Sequence, residues 1–274
     1  MNRLFVAYKP TWISSNHFLS HLKRKYKTKK AGFTGTLDPF AKGVLIIGLG
    51  SHTKLFRFLN KTPKKYRATL WLGAKSDSLD TEMIEKVEHL REFSYEDIQK
   101  SVKSLEGELE YEPPIFSAKK INGQRAYDLA RAGKEFTLNK INSSIYEIDL
   151  INYCHPFVTF EATVSQGTYI RSLGLLIAKD LGLKYASLSA LERLNEGQFV
   201  YDGEKALDIK QSLNIKENFY NGDSDNIKYG RVLALEDVEI KKDGYYWLDN
   251  GDNISIINIQ NKIIKYDLNK VNIC

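Results

Sequence analysis

Apolar and polar positions alternate with period two over residues 65–72: Tyr66, Ala68, Leu70 and Leu72 fall on one face, Arg67, Thr69 and Trp71 on the other. That pattern predicts a half-buried strand. Residues 157–165 repeat it with Val158, Phe160, Ala162 and Val164, and further strands are expected over 2–8 and 144–153. The run 43–50 is apolar and glycine-punctuated, and an apolar strand is expected over 44–49. Helical spacing appears where Phe18, Leu19, Leu22 and Tyr26 follow the capping candidates Ser14 and Ser15. Ser94 with Asp97 resembles a capping box, opening a helix through Ile98, Val102 and Leu105 that stops at Gly107. Two more helices are expected, over 126–132 ending at Gly133 and over 169–181 ending at Gly182. Within 119–125 the pair Asn122-Gly123 signals a tight hairpin.

Strands and helices mix without a clean βαβ alternation, so an α+β class fits better than a parallel α/β sheet. Past residue 201 the chain turns polar, and Asn-Gly-Asp-Ser-Asp-Asn at 221–226 reads as connector. Beyond it, short strands are split by Asp-Gly, Asn-Gly and Gln-Asn turns. The expected organisation is a catalytic-sized domain at 1–210, a polar linker at 211–227 and a small β-rich C-terminal module at 228–274. No repeat is visible.

Charge changes this picture. Residues 1–67 hold fifteen Lys and Arg and a single acid, Asp38, whereas 68–274 hold 25 basic and 33 acidic residues. Such asymmetry points to a polyanion partner. Its densest part supplies Lys23, Arg24, Lys25, Lys27, Lys29 and Lys30, and a second basic stretch over 54–67 adds Lys64 and Lys65. These eight are the candidate phosphate contacts. Two cysteines, Cys154 and Cys274, make no disulfide framework and no CxxC zinc spacing. His17 and His21 stand four apart with no third ligand near, so no metal is expected. With no apolar run of membrane length and no secretory leader in view, a cytoplasmic protein is the default.

The lone acid of the basic third lies in Gly32-Phe33-Thr34-Gly35-Thr36-Leu37-Asp38-Pro39. Small residues there let backbone run close to a ligand. Asp before Pro is a standard helix start, so Asp38 reads on its own as a cap. A carboxylate inside a polyanion-binding surface hinders binding, which makes chemistry the competing reading.

The run GFTGTLDPFAKGVLIIGLG resembles the signature of bacterial tRNA pseudouridine-55 synthases of the TruB type. The resemblance continues in order through Lys9-Pro10 with Ser14, Lys65-Tyr66-Arg67-Ala68 with Leu72-Gly73 and Asp80, and Pro113-Pro114-Ile115-Phe116-Ser117-Ala118-Lys119 with Gly123, Tyr127 and Ala130-Arg131. It closes with 165–173, reading SQGTYIRSL, and with Leu191-Glu192-Arg193, Gly197 and Phe199. It covers roughly 9–199. Departures are Trp12 at a family glycine, Phe33 at the histidine before Thr-Gly, Gln166 inside its motif, and Glu192 in a double arginine.

The resemblance implies a pseudouridine-synthase-like sheet, mixed but largely antiparallel and flanked by helices, with a reduced RNA-binding β-domain of the PUA kind at the C-terminus. It implies isomerisation of uridine 55 in the tRNA T-loop with no cofactor. Asp38 would be the nucleophile, Tyr66 would stack on an everted uracil, and Arg171 would pair with Asp38. Tyr169, Leu191, Gly35 and Thr36 would contact the substrate, and Lys9 would do so or sit at a nearby backbone contact, with Phe33 affecting RNA contact rather than bond chemistry. Whether the carboxylate attacks C1′ or the base stays open at this level. tRNA is the expected partner; no membrane or obligate protein partner is implied, and a monomer is expected. Other readings are a non-catalytic RNA-binding protein of the same fold, a synthase with another RNA target, and a glycosidase pairing Asp38 with Asp77 or Asp80.

Overall fold

The computed structural model describes residues 1–117, 119–121 and 123–273. Ala118 of the Pro113-Pro114 motif, Asn122 of the expected hairpin turn and Cys274 lie outside the described residues.

The elements that position the site are strand β1 (Arg3–Lys9), helix α1 (Ser15–Lys25), β2 (Ala31–Phe33), β3 (Lys42–Leu49), β4 (Lys64–Leu72), α2 (Tyr95–Lys103), β5 (Gly107–Tyr111), α3 (Ala126–Arg131), β6 (Ile141–Cys154), β7 (Phe157–Val164), α4 (Ile170–Asp180) and β8 (Ala186–Glu196). Eight strands form one sheet in the order β1-β3-β8-β4-β7-β6-β5, with β2 also paired to β3. Every pairing is antiparallel except β3 with β8, where Lys42 faces Glu192 and Gly43 faces Arg193. Glycine is required at that parallel contact: a Cβ on Gly43 would stand 2.3 Å from the Arg193 carbonyl oxygen, at φ +118°.

The hydrophobic pattern separates strands covered on one face from strands covered on both. On β4, Tyr66, Ala68, Leu70 and Leu72 point into the main core with Phe18, Leu22, Ile98, Val102, Leu173 and Ile177 from the helices. On β1 and β3, Phe5, Ala7, Leu45 and Ile47 join that core, while Leu4, Val6, Val44 and Ile46 point the other way into a second cluster. Two buried faces explain why 43–50 is apolar without alternation.

That second cluster is completed by Trp247, Ile254, Ile256, Leu268 and Val271. They come from a four-stranded sheet made of β9 (Lys216–Glu217), β10 (Gly244–Asp249), β11 (Asn253–Gln260) and β12 (Ile263–Asn272), in that order. The β-rich C-terminal region is therefore packed against the back of β1 and β3.

Residues 211–227, expected as a polar linker, carry β9 and most of helix α5 (Ser224–Tyr229). Leu213 bridges to Leu59, Tyr220 to Val238, and Ile227 is buried in a third cluster. The polar composition concealed these widely spaced apolar anchors. No helix among the described residues is long and apolar enough to cross a membrane.

Candidate active site

Asp38 sits in the loop between β2 and β3. It opens a tight turn, closed by the Ala41 amide donating to the Asp38 carbonyl at 3.1 Å with Pro39 second. No helix follows, so the cap reading of Asp38 gives way to a turn. Its side chain is about one-third exposed, and Oδ2 lies 2.9 Å from Nε of Arg171.

The loop is tied down on both sides of the aspartate. The Ser15 hydroxyl, at the start of α1, donates to the Leu37 carbonyl at 2.9 Å and accepts the Leu37 amide at 3.0 Å. The amide of Trp12 donates to the Pro39 carbonyl at 2.7 Å. Trp12 has φ +66°, a left-handed conformation, which accounts for a glycine at this place in the resembling family. The buried Lys9 ammonium donates to the carbonyls of Pro10, Ile13 and Pro39. Burial lowers its pKa to about 8, partly offset by the nearby Asp38 charge. Lys9 thus holds backbone from beneath and lines neither cavity beside Asp38; the expected substrate contact is replaced by a structural one.

Arg171 enters from the first turn of α4 and is buried rather than exposed. Its Nη1 donates to the Ser78 carbonyl at 2.6 Å and stands 3.6 Å from Oδ2 of Asp80; Nη2 donates to the Phe116 carbonyl at 2.9 Å. The expected pairing with Asp38 runs through Nε, with the terminal nitrogens spent on two carbonyls and a second carboxylate. Asp80 accepts from the Ser78 hydroxyl at 2.5 Å and the Glu82 amide at 2.9 Å. Burial raises its pKa, against the lowering effect of those bonds and of Arg171. Asp80 was legible as part of a motif, but its contact with Arg171 was not.

Two cavities meet at this pair. One, of about 310 Å³, is lined by Asp38, Tyr66, Tyr169, Leu191, Gly35 and Thr36. With Arg171, six expected catalytic or substrate-binding residues therefore share one cleft with the aspartate, and Lys64 lines it too. The second, of about 480 Å³, runs past Phe33, Arg125, Tyr127 and Arg131. Ser117 lines both, and its buried hydroxyl has no partner among the described residues. Phe33 thus lines the second cavity together with Asp38 and Arg171.

The eight expected phosphate contacts divide. Lys23, Arg24, Lys27, Lys29 and Lys30 are exposed or half-exposed and carry no ion pair among the described residues. Lys25 is paired with Glu204 at 2.6 Å, and Lys65 with Glu161 at 2.8 Å. Lys64 is buried against Glu196 at 3.2 Å and lines the Asp38 cleft instead of standing among the exposed cations. Charge runs show where cations are dense; they do not show which ones a distant acid has already taken. His17 and His21 form an edge-to-face ring pair 4.6 Å apart, and no group of three His, Cys, Asp or Glu placed for a metal occurs among the described residues.

Residues 23–170 match the TruB family pseudouridylate synthase (N terminal domain). The chain belongs to the TruB family. A protein of Sulfurimonas denitrificans named tRNA pseudouridine synthase B is 73% identical over 271 residues, 99% of each chain. One of the same name from Campylobacter jejuni is 48% identical over the full length of both. Among solved structures, a chain of a Cbf5-Nop10-Gar1 complex matches with a TM-score of 0.69 at 21% identity, over 98% of this chain and 84% of that one. At that identity the likeness concerns the fold, and it spans the C-terminal sheet as well as the TruB core.

Proposed function

We propose that this TruB-family chain is a tRNA pseudouridine synthase that converts uridine 55 of the T-loop to pseudouridine, with Asp38 as nucleophile. The observation that carries the reading is the position of Asp38: a partly exposed carboxylate 2.9 Å from a buried guanidinium, at the meeting point of two cavities. A nucleophile must be held and remain reachable.

The reaction breaks N1–C1′ and joins C5 to C1′. C5 loses a proton and N1 ends with one, so atoms and electrons balance within the nucleoside and the reaction calls for no oxidant or reductant. The uridine must leave its stack to enter the cleft. The Tyr66 ring lines that cleft and replaces lost stacking, an effect of about 1–3 kcal/mol per base. Leu191 supplies an apolar wall and Tyr169 a second aromatic one. Exposed cations over 23–30 hold stem phosphates. In this reading residues 1–210 form the catalytic unit, the C-terminal sheet braces its back and adds RNA contact, and the enzyme works as a cytoplasmic monomer.

The test is to incubate the purified chain, without added cofactor, with unmodified tRNA and to map pseudouridine by position. Formation at uridine 55 is expected. Binding of tRNA without any product would favour a non-catalytic RNA-binding protein, and product elsewhere would assign another target.

A further inference from the structure

A second ionic cluster adjoins the Asp38 loop and is more deeply buried, and two of its members, Lys64 and Arg193, line the same cleft as Arg171. Glu196, at the end of β8, has a side chain only 1% exposed. Its Oε2 accepts the Thr34 hydroxyl at 2.7 Å, and Oε1 lies 3.2 Å from Nζ of Lys64. Arg193, equally buried, donates through Nε to the Val44 carbonyl and through Nη2 to the Gly35 carbonyl, both at 2.8 Å. The same Nη2 stands 3.5 Å from Oε2 of Glu196.

Three charges are thus taken out of water around two loop residues. Burying them is costly, and such a cluster persists only where its hydrogen bonds are well made. Here the bonds go to the loop. Gly35 has φ +50°, and a Cβ on it would meet Lys64 Nζ at 2.8 Å, Arg193 Nη1 at 3.0 Å and Glu196 Oε1 at 3.1 Å. The glycine is therefore fixed by the cluster as much as by its own conformation. Leu37 is already held by Ser15 and Pro39 by Trp12 and Lys9. Thr34 and Gly35 form the remaining approach to Asp38, and Glu196 and Arg193 close it.

We infer that Glu196 is a positioning residue: through the Thr34 hydroxyl, and with Arg193 on the Gly35 carbonyl, it clamps the 34–36 loop in the conformation that aims Asp38 into the cleft. It acts on the loop rather than on substrate. The effect on the reaction rests on the function proposed above.

The test compares Thr34→Val, which keeps shape and loses the hydroxyl, with Thr34→Ser, which keeps the hydroxyl. Thr34→Val should lower the single-turnover rate on tRNA about ten- to hundredfold, the scale of a slightly misplaced reacting group, with tRNA affinity unchanged. Thr34→Ser should restore the rate. Hydrogen–deuterium exchange of the peptide covering 33–41 should quicken in Thr34→Val and not in Thr34→Ser. Equal rates per folded molecule in Thr34→Val and wild type, with only the melting temperature lowered, would make the cluster purely structural and overturn the clamp. If the wild type makes no pseudouridine, the proposed function fails, and unchanged exchange over 33–41 would still overturn the clamp while quickened exchange would support it.

Discussion

Asp38 and Arg171 meet side-on, through Oδ2 and Nε at 2.9 Å, while both terminal nitrogens of the guanidinium are engaged elsewhere. The arginine is anchored independently of the aspartate, so it orients the carboxylate without depending on it. Replacing Asp38 should therefore leave the frame standing. Asp38→Asn is expected to fold, with a melting temperature near that of the wild type, and to yield no pseudouridine. Its tRNA affinity should equal or exceed the wild type's, because the one acid among fifteen cations of the basic third has been removed. Turnover of Asp38→Asn at the wild-type rate would refute the nucleophile assignment.

Arg171 itself is a different matter, because its loss strands Asp80 in the interior. Arg171→Met should reduce kcat more than it raises KM and should destabilise the fold by about 3 kcal/mol, the lower end for a broken buried pair. Burial already raises the pKa of Asp80, and removing the cation raises it further. A carboxyl whose folded pKa lies above its unfolded value binds protons more readily when folded, so its penalty shrinks as pH falls. The stability gap between Arg171→Met and wild type should accordingly narrow on acidification through that range. Urea melts across pH measure it, and a gap that widens would contradict the assignment.

Much of the frame was legible because neighbours in sequence determine it. Alternation over 65–72 reports that β4 buries one face, and the apolar run at 43–50 marks β3 as a strand, although its second buried face shows only once the C-terminal sheet is packed against it. The Asp38 loop stood out because small residues and a lone acid are local signals. What escaped depends on pairs far apart in the chain. Thr34 and Glu196 are 162 positions apart, and nothing near either residue announces the other. Lys64 looks like its neighbours in a basic run until the fold places Glu196 beside it. Lys9 looks like a substrate contact until three carbonyls enclose its ammonium. The 211–227 stretch looks like a connector because Leu213, Ile215 and Ile227 follow neither a helical nor a strand period.

The division among the cations predicts a salt dependence. Neutralising Lys23, Arg24, Lys27, Lys29 and Lys30 should weaken tRNA binding and flatten the slope of log affinity against log salt by about 0.7–0.9 for each phosphate that is no longer neutralised. Lys65→Gln should change the slope little, because its ammonium is already bound by Glu161. Filter binding at several salt concentrations separates the two. An unchanged slope in the five-site variant would move the RNA path to another surface.

The C-terminal sheet predicts an outcome for truncation. Removing 228–274 would strip Trp247, Ile254, Ile256, Leu268 and Val271 from Leu4, Val6, Val44 and Ile46. Large-to-small changes in a core cost about 2–5 kcal/mol per side chain, and five go at once. The truncated chain should be insoluble or unfolded by circular dichroism, rather than a folded catalytic unit with weakened RNA affinity. A soluble truncated chain with normal single-turnover chemistry would show that the second cluster is dispensable.

Lys9 supplies a test of the loop's foundation that is independent of RNA. Its pKa is about 8 in the folded protein against a usual 10.5, because burial disfavours the ammonium. Between those values the unfolded chain holds the proton more tightly, so stability should rise with pH, by up to about 1.4 kcal/mol per unit for this one group. Below pH 8 both states are protonated and its contribution is flat; above 10.5 neither is. Other titrating groups confuse the wild-type curve alone, but they cancel in the difference from Lys9→Met. That difference, wild type minus variant, should climb from about pH 8 towards 10.5 by the linkage argument. A difference that stays level across this window would mean that the ammonium keeps its proton in place, its three carbonyls outweighing the burial.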